Sequence, residues 1–506
     1  MKFLFSALVV ALGAALTATA AVDDDVCRWK ISPLGCHPSA LCSYQFKLGD
    51  LTPSQSCRVK AGVNKLPQQL HLSFAGSIAG TGMTVSWATF DDVADSAVWL
   101  GSTASSLVRL STPVSRASYY SEGDYSLFQN HAVVSGLSPN TKYFFKVGSA
   151  GDAALQSEVS SFRTARAPAD PTAFTVAIYG DAGDGKNSVD TISYVNSLGD
   201  GAVDFIYHIG DISYADDDFL VPAQALGFFY EEVWNKWMNS LTPIMQQVPY
   251  MVSVGNHEAE CHSPNCQLSS FKKDRLGNYT AYNARFKMPS KESGGVLNMW
   301  YSFEHGPLHI TTLSSETDYP DAPKNQYTLT GKNGNFGNQL AWLEADLKKA
   351  AANRANVPWL IVAMHRPIYH IGTVDKAGQP TKDAKTIQAA FEELFLKYGV
   401  DVVLAGHEHS YERHLPIARG AAVTAGVSAD KKTYTNPKAP VYIVTGAAGN
   451  VEDHKSKPSS TAAWNVVSDF ENFGISTVTV SRGALEFKFI ASASKKELDS
   501  FVITKS

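Results

Sequence analysis

The stretch VVLAGHEHSYERH, residues 402–414, opens on the apolar run Val402 to Ala405 and closes among three imidazoles, His407, His409 and His414. A short apolar run bounded by glycine reads as a buried strand. Gly406 then delivers His407, Glu408 and His409 directly off its end. In an extended segment alternate side chains project to one side, so the reading sends His407 and His409 one way and Glu408 the other.

Outward from this stretch the same pattern repeats. FTVAIYGD (174–181), DFIYHIGD (204–211), YMVSVGNHE (250–258), LHITTLSS (308–315), WLIVAMH (359–365) and VYIVTG (441–446) are all strand-length apolar runs. Helical segments alternate with them: Ile387, Phe391, Leu394, Phe395 and Tyr398 recur at helical spacing before Gly399, and Leu340, Leu343 and Leu347 share a face of LAWLEADLKKAA (340–351). Runs apolar on both faces predict an α/β domain of layered β-sheets flanked by helices.

Five of these strands end on Asp181, Asp211, Asn256-His257, His365 and His407-Glu408-His409. Alone, each is a helix cap or a satisfied structural residue. Together, carboxylates and imidazoles converging on one cleft beyond the carboxyl ends of strands oppose each other unless a cation neutralises them. Glycines at 180, 210, 255 and 406 precede the candidates and let the backbone turn sharply.

Before residue 168 the texture differs. LHLSF, MTVSWATF, SAVWLG, HAVVSGL, KYFFKVGS and SSFRT are short alternating runs without helical periods, the pattern of an all-β sandwich. Trp87 in an early strand and Tyr143 at the start of a late one, six residues after Leu137, resemble the tyrosine corner of fibronectin type III domains. The expected organisation is a signal peptide at 1–20, a cysteine-rich segment at 21–62, a fibronectin III-like sandwich at 63–167 and a catalytic domain at 168–506.

The signal peptide is read from Lys2, an apolar run, and the small-x-small ending Ala18-Thr19-Ala20. A membrane anchor would need flanking charge and a longer span, and no later segment is apolar for long enough. Six cysteines suit an oxidising compartment, with Cys27, Cys36, Cys42 and Cys57 in one group and Cys261 and Cys266 in another. Disulfides within each group are expected. Zinc is the alternative for the first four, whose spacings lack CxxC pairs. Asn278-Tyr279-Thr280 is a glycosylation sequon. Secretion to an extracellular, vacuolar or lysosomal space follows. A net charge of −5 provides no footprint for nucleic acid, no membrane partner is expected, and oligomeric state is not readable.

The ordered series GDAG (180–183), GDISY (210–214), GNHE (255–258), VAMH (362–365) and GHEH (406–409) resembles the five motifs of the purple acid phosphatases, and the likeness spans about residues 66–506. The resemblance implies that Asp181, Tyr214 and His409 hold Fe(III), that Asn256, His365 and His407 hold a divalent Zn, Fe or Mn, and that Asp211 bridges them. Wider metallophosphoesterases usually have DxH where this chain has Asp181-Ala182-Gly183, and here Tyr214 replaces that histidine. A phenol with a pKa near 10 ligates as phenolate only to a hard, highly charged cation.

The implied reaction is hydrolysis of small phosphate monoesters by in-line attack of hydroxide generated at the metal pair, without a phosphoenzyme. His257 resembles the family's histidine for phosphate binding or leaving-group protonation, with Glu258 as its orienter or an ordinary neighbour. Plant members carry a histidine pair some nine residues beyond the ligand matching His365, where this chain has Val374 and Asp375; His370 is the nearest candidate substitute. The same site could serve phosphodiesters, nucleotide-sugar pyrophosphates or phytate. A non-catalytic secreted adhesion protein is the reading from another class, and seven filled ligand positions argue against it.

Overall fold

The computed structural model describes residues 65–122, 125–220, 227–323, 333–458 and 462–505, preceded by the two-residue strands Ile31–Ser32 and Gly35–Cys36. The expected signal peptide, and the side chains of Cys27, Cys36, Cys42 and Cys57, lie outside what is described.

The short strands between residues 68 and 163 pair into two antiparallel four-stranded sheets, with Gln68–Ala75 and Gly82–Thr89 buried along their whole length. One runs Gln68–Ala75, Gly82–Thr89, Phe128–Ser135, Val114–Ala117; the other runs Ser160–Arg163, Lys142–Ser149, Ser96–Gly101, Val108–Arg109. Trp87, Val85, Phe145, Val147 and Phe162 fill the space between them. The hydroxyl of Tyr143 accepts the Ser138 N–H at 3.1 Å, which makes the tyrosine corner anticipated above.

The chain beyond the sandwich holds two further sheets. The first has the order Tyr250–Ser253, Phe205–Ile209, Phe174–Tyr179, Gly474–Val480, Ala484–Ala491, Glu497–Thr504, Thr433–Thr435, and its first three strands are parallel. The second has the parallel core Leu308–Thr312, Trp359–Ala363, Val402–Ala405, Val441–Thr445, with antiparallel strands at its edges. Between the sheets, Gly180 N–H donates to the Thr445 carbonyl at 2.9 Å, and the hydroxyls of Tyr207 and Thr312 meet at 2.6 Å. The ends of Phe174–Tyr179, Phe205–Ile209 and Tyr250–Ser253 therefore face those of Trp359–Ala363 and Val402–Ala405 across one cleft.

Helices cover the outer faces. Lys382–Tyr398 buries Ile387, Phe391 and Phe395 and stops at Gly399, whose φ of 65° lets its N–H reach back to the Leu396 and Phe395 carbonyls. Gln339–Ala352 is capped by the Asn338 side chain and buries Leu343 and Leu347. Tyr230–Met245 packs against strand Gln68–Ala75 and ties the sandwich to the α/β fold. Arg285 and Glu231, both with fully buried side chains, pair at 3.0 Å at this seam. Arg285 also donates to Tyr119, Gln69 and Asn235, and the hydroxyls of Tyr119 and Tyr125 donate to Glu231. A network this fully satisfied makes the docking rigid.

Candidate metal centre

Each strand of the cleft ends in a tight turn rather than running on. Asp181, Asp211, Tyr214 and His407 have positive φ of 61°, 50°, 55° and 68°. This backbone state costs a non-glycine residue about 1–2 kcal/mol and is tolerated where function requires it. The expectation of an extended His407-Glu408-His409 segment is corrected here. The strand stops at Ala405, and the chain from 406 to 410 makes tight turns, with Glu408 N–H on the Gly406 carbonyl at 2.8 Å and Ser410 N–H on the Glu408 carbonyl at 2.6 Å.

The glycines also act differently from the expectation. Of the four, only Gly210 has positive φ, 70°. The others serve close approach: a Cβ on Gly255 would lie 2.3 Å from Asp211 Oδ1, one on Gly406 2.6 Å from Asp181 Oδ2, and one on Gly180 2.9 Å from the Ile209 carbonyl.

These turns bring all seven candidate ligands together. Tyr214 Oη lies 3.2 Å from both Asp181 Oδ1 and His409 Nε2. His365 Nε2 lies 2.9 Å from Asp211 Oδ2 and 3.2 Å from Asn256 Oδ1. Donor atoms of Asp211, His365 and His407 fall within 4.8 Å of one another. Six of the seven are buried, and His407 keeps a partly exposed face toward the cleft. His407 N–H anchors the Asp181 carboxylate at 2.9 Å.

The imidazoles are oriented from behind. His365 Nδ1 donates to the Ile209 carbonyl and His409 Nδ1 to the Asp453 carbonyl, each at 2.9 Å, which turns both Nε2 lone pairs into the site. Burial, then Arg366, drives His407 far below ordinary histidine basicity, and burial with Lys455 lowers His409 to about 3, so both stay neutral. Burial followed by the Asp181 and Asp211 charges raises the Tyr214 phenol. Burial also raises Asp181, while His365, which burial alone would lower, is lifted to about 10 by Asp211 and Asp181. A cation would displace those protons.

The donor set fits such an ion. Asp211 Oδ2 is fully buried and faces His365 Nε2 at 2.9 Å, which holds a proton toward it as long as His365 is charged. That proton sits where a cation shared by the carboxylate and the imidazole would stand. Asn256 Nδ2 is buried without a partner.

His257 sits beside this group. Its ring centroid is 4.1 Å from that of Tyr214, its N–H donates to Asp211 Oδ1 at 2.8 Å, and its Nε2 is 3.8 Å from Asp211 Oδ2. The orienting role expected of Glu258 belongs to Asp216, which accepts from His257 Nδ1 at 2.9 Å. Glu258 instead clamps the turns: its carboxylate accepts from the N–H groups of Gly255, Asp211 and Ile212 at 2.8, 2.9 and 2.7 Å. His370 is not brought to the ligands; it lies between Glu412 at 2.7 Å and Glu408 at 3.2 Å.

Sequence reasoning missed Asp216, which is fully buried within the acidic run 216–218, and Arg366. The Arg366 guanidinium is held by Glu316 at 2.8 Å and points at His407 Nε2 at 3.2 Å. Cys261 and Cys266 form the expected disulfide, and Asn278 is exposed.

Facing sheets that gather carboxylates, imidazoles and an amide at their strand ends define a metallophosphoesterase, and residues 174–411 match the calcineurin-like phosphoesterase family. Residues 67–164 match the purple acid phosphatase N-terminal domain, and residues 439–500 the iron/zinc purple acid phosphatase-like protein C region. Acid phosphatase A of Cryphonectria parasitica is 30% identical over 492 residues, spanning 87% of this chain and 92% of that one. Human acid phosphatase type 7 is 31% identical, spanning 76% and 78%, and purple acid phosphatase 23 of Arabidopsis thaliana is 29% identical, spanning 76% and 80%. Purple acid phosphatase PPD1 from yellow lupin seeds shares the fold, with a TM-score of 0.67 at 21% identity over 87% of this chain and 75% of that one. The chain belongs to the purple acid phosphatase family and is a phosphoester hydrolase. That family implies a dinuclear metal centre. Among the described residues no helix is long and apolar enough to cross a membrane.

Proposed function

We propose that this protein hydrolyses small phosphate monoesters at a dinuclear centre and works in an oxidising compartment outside the cytosol. In this reading Asp181, Tyr214 and His409 hold Fe(III), Asn256, His365 and His407 hold a divalent Zn, Fe or Mn, and Asp211 spans the two. The observation that carries it is the buried Asp211 carboxylate, whose Oδ2 faces His365 Nε2 at 2.9 Å and which brings a donor atom within 4.8 Å of those of His365 and His407, close enough to share an ion. The cluster around Tyr214 offers a carboxylate and a phenol, suited to a trivalent ion, whereas the other offers an amide and two imidazoles. The Arg366 guanidinium beside His407 further disfavours high charge on that side.

When bound, such a pair supplies Lewis acidity that activates water and offsets phosphate charge. The chain's own part is positioning. Strained turns aim the donors, Glu258 locks two of the three turns from the first sheet, and His257 holds a proton within reach of the cleft. The disulfide and the exposed Asn278 sequon support secretion.

The test is the visible spectrum, metal content and phosphate-monoester hydrolysis of the purified protein and of Tyr214→Phe. A broad visible band that is lost or shifted in the variant, with iron present, supports the ferric-phenolate assignment. A colourless, active protein loaded with two divalent metals and indifferent to Tyr214→Phe overturns it.

A further inference from the structure

Behind His257 lies a second imidazole, carried by the disulfide loop. Cys261 and Cys266 close that loop. Inside it Ser263 Oγ accepts the Cys266 N–H at 3.4 Å, and just beyond it Gln267 Nε2 donates to the Cys261 carbonyl at 2.7 Å. So fixed, His262 aims Nδ1 at Asp216 Oδ2 from 3.0 Å, the oxygen that His257 Nδ1 also meets at 2.9 Å. The Asp216 side chain is fully buried and that of His262 is 11% exposed.

A carboxylate rotates about its last bond unless more than one donor fixes its plane. His257 alone grips both Asp216 oxygens, at 2.9 and 3.1 Å, and would let the pair swing together. A second donor arriving from a covalently closed loop removes that freedom. With Nδ1–H committed to Asp216, the second ring N–H, on Nε2, faces the cleft beside Asp211 and is the proton that the departing oxygen receives.

We propose that His262 is a positioning residue for the phosphatase reaction: through Asp216 it fixes the His257 ring against Tyr214 and keeps Nε2 directed at the ester oxygen that departs. The Cys261–Cys266 disulfide holds His262 in place to do this. The inference rests on the reading that His257 serves the leaving group of a phosphate monoester. Asp216, Asp217 and His257 also approach within 4.8 Å, as a cation site would. With two imidazole donors already on Asp216, no third ion is required.

The experiment uses the full-length, metal-loaded protein with His262→Leu and His262→Asn, the latter placing an amide donor where Nδ1 stands. Monoesters with leaving groups of graded basicity are assayed, together with the visible spectrum, metal content and a crystal structure of His262→Leu. We expect kcat to fall about ten-fold or more for alkyl phosphates and under about three-fold for nitrophenyl phosphate, because only a poor leaving group needs the proton. KM should move less than about two-fold, and His262→Asn should recover most of the loss. Spectrum and metal content stay unchanged, and the His257–Asp216 pair swings together, carrying the His257 ring off Tyr214, in the crystal. Equal losses across leaving groups, a changed spectrum, a third metal per chain, failure of His262→Asn to rescue, or an unmoved His257 would each overturn the proposal. Should His262→Leu not fold, His262→Gln, whose amide reaches the Nε2 position instead, must show the same leaving-group signature. If the parent protein hydrolyses no monoester, the functional reading fails, and the position of His257 in the variant crystal still decides this one.

Discussion

Replacing Gly255 by alanine adds one methyl group at the point where the two candidate metal positions meet. Its φ of −123° is open to alanine, so backbone strain does not enter. Crowding does: the new Cβ would stand 2.3 Å from Asp211 Oδ1 and 2.5 Å from Asp211 N, where an ordinary contact begins near 3.4 Å. Something must retreat by about 1 Å, a displacement able to cost on the order of 100-fold in rate. The backbone cannot yield cheaply, because Glu258 Oε2 accepts from both Gly255 N–H and Asp211 N–H. The shift therefore falls on the Asp211 carboxylate. Gly255→Ala should lose about 100-fold in kcat/KM and part of its metal, at a stability cost of about 1–3 kcal/mol. Elemental analysis, steady-state kinetics and thermal unfolding read the three quantities. Gly185→Ala is the control, since its Cβ meets nothing closer than 3.8 Å and its φ is −90°. Retention of both metals, with activity within about three-fold of the parent, would refute the crowding argument.

Two further outcomes follow from groups remote from the cleft. Burial alone would lower His309, but the Asp346 carboxylate 3.2 Å away raises it to about 9. Its folded pKa exceeds the unfolded value, so the stabilisation is fully present below about pH 6.5 and is lost as pH rises to about 9. On the order of 3 kcal/mol should disappear over that window in denaturant titrations, and His309→Gln should flatten the slope; an unchanged slope would sink the assignment. At the domain seam, Arg285→Met strands Glu231 in a buried site and should cost about 3–5 kcal/mol, with Arg285→Met/Glu231→Leu recovering part of it. A loss under about 1 kcal/mol in chemical unfolding would show that the seam is wetter than its geometry implies.

Local chemistry sufficed for much of this protein. Strand-length apolar runs ending in a carboxylate, amide or imidazole marked six of the seven candidate ligands, and Tyr214 entered only through the resemblance to the family's motifs. Helical spacing before Gly399 placed the Lys382–Tyr398 helix, and Tyr143 marked its corner. These are properties of a residue and its near neighbours, and they survive any change in how distant segments pair. The three strands at 474–504 were not singled out. Ala484–Ala491 alternates buried and exposed residues, and that signal says nothing of which sheet the strand will join.

What tertiary structure alone decided is which side chain answers which. That Asp216 rather than Glu258 orients His257, that His262 reaches the same carboxylate, and that His370 turns to Glu408 and Glu412 all depend on loops brought together by facing sheets. The left-handed turns at Asp181, Asp211, Tyr214 and His407 are likewise invisible in sequence, because even Asp and His, which enter that backbone state more readily than most residues, adopt it only in a small minority of cases. They persist because the surrounding packing and hydrogen bonds outweigh a local cost of a few kcal/mol, and that balance is struck only when the whole chain has folded.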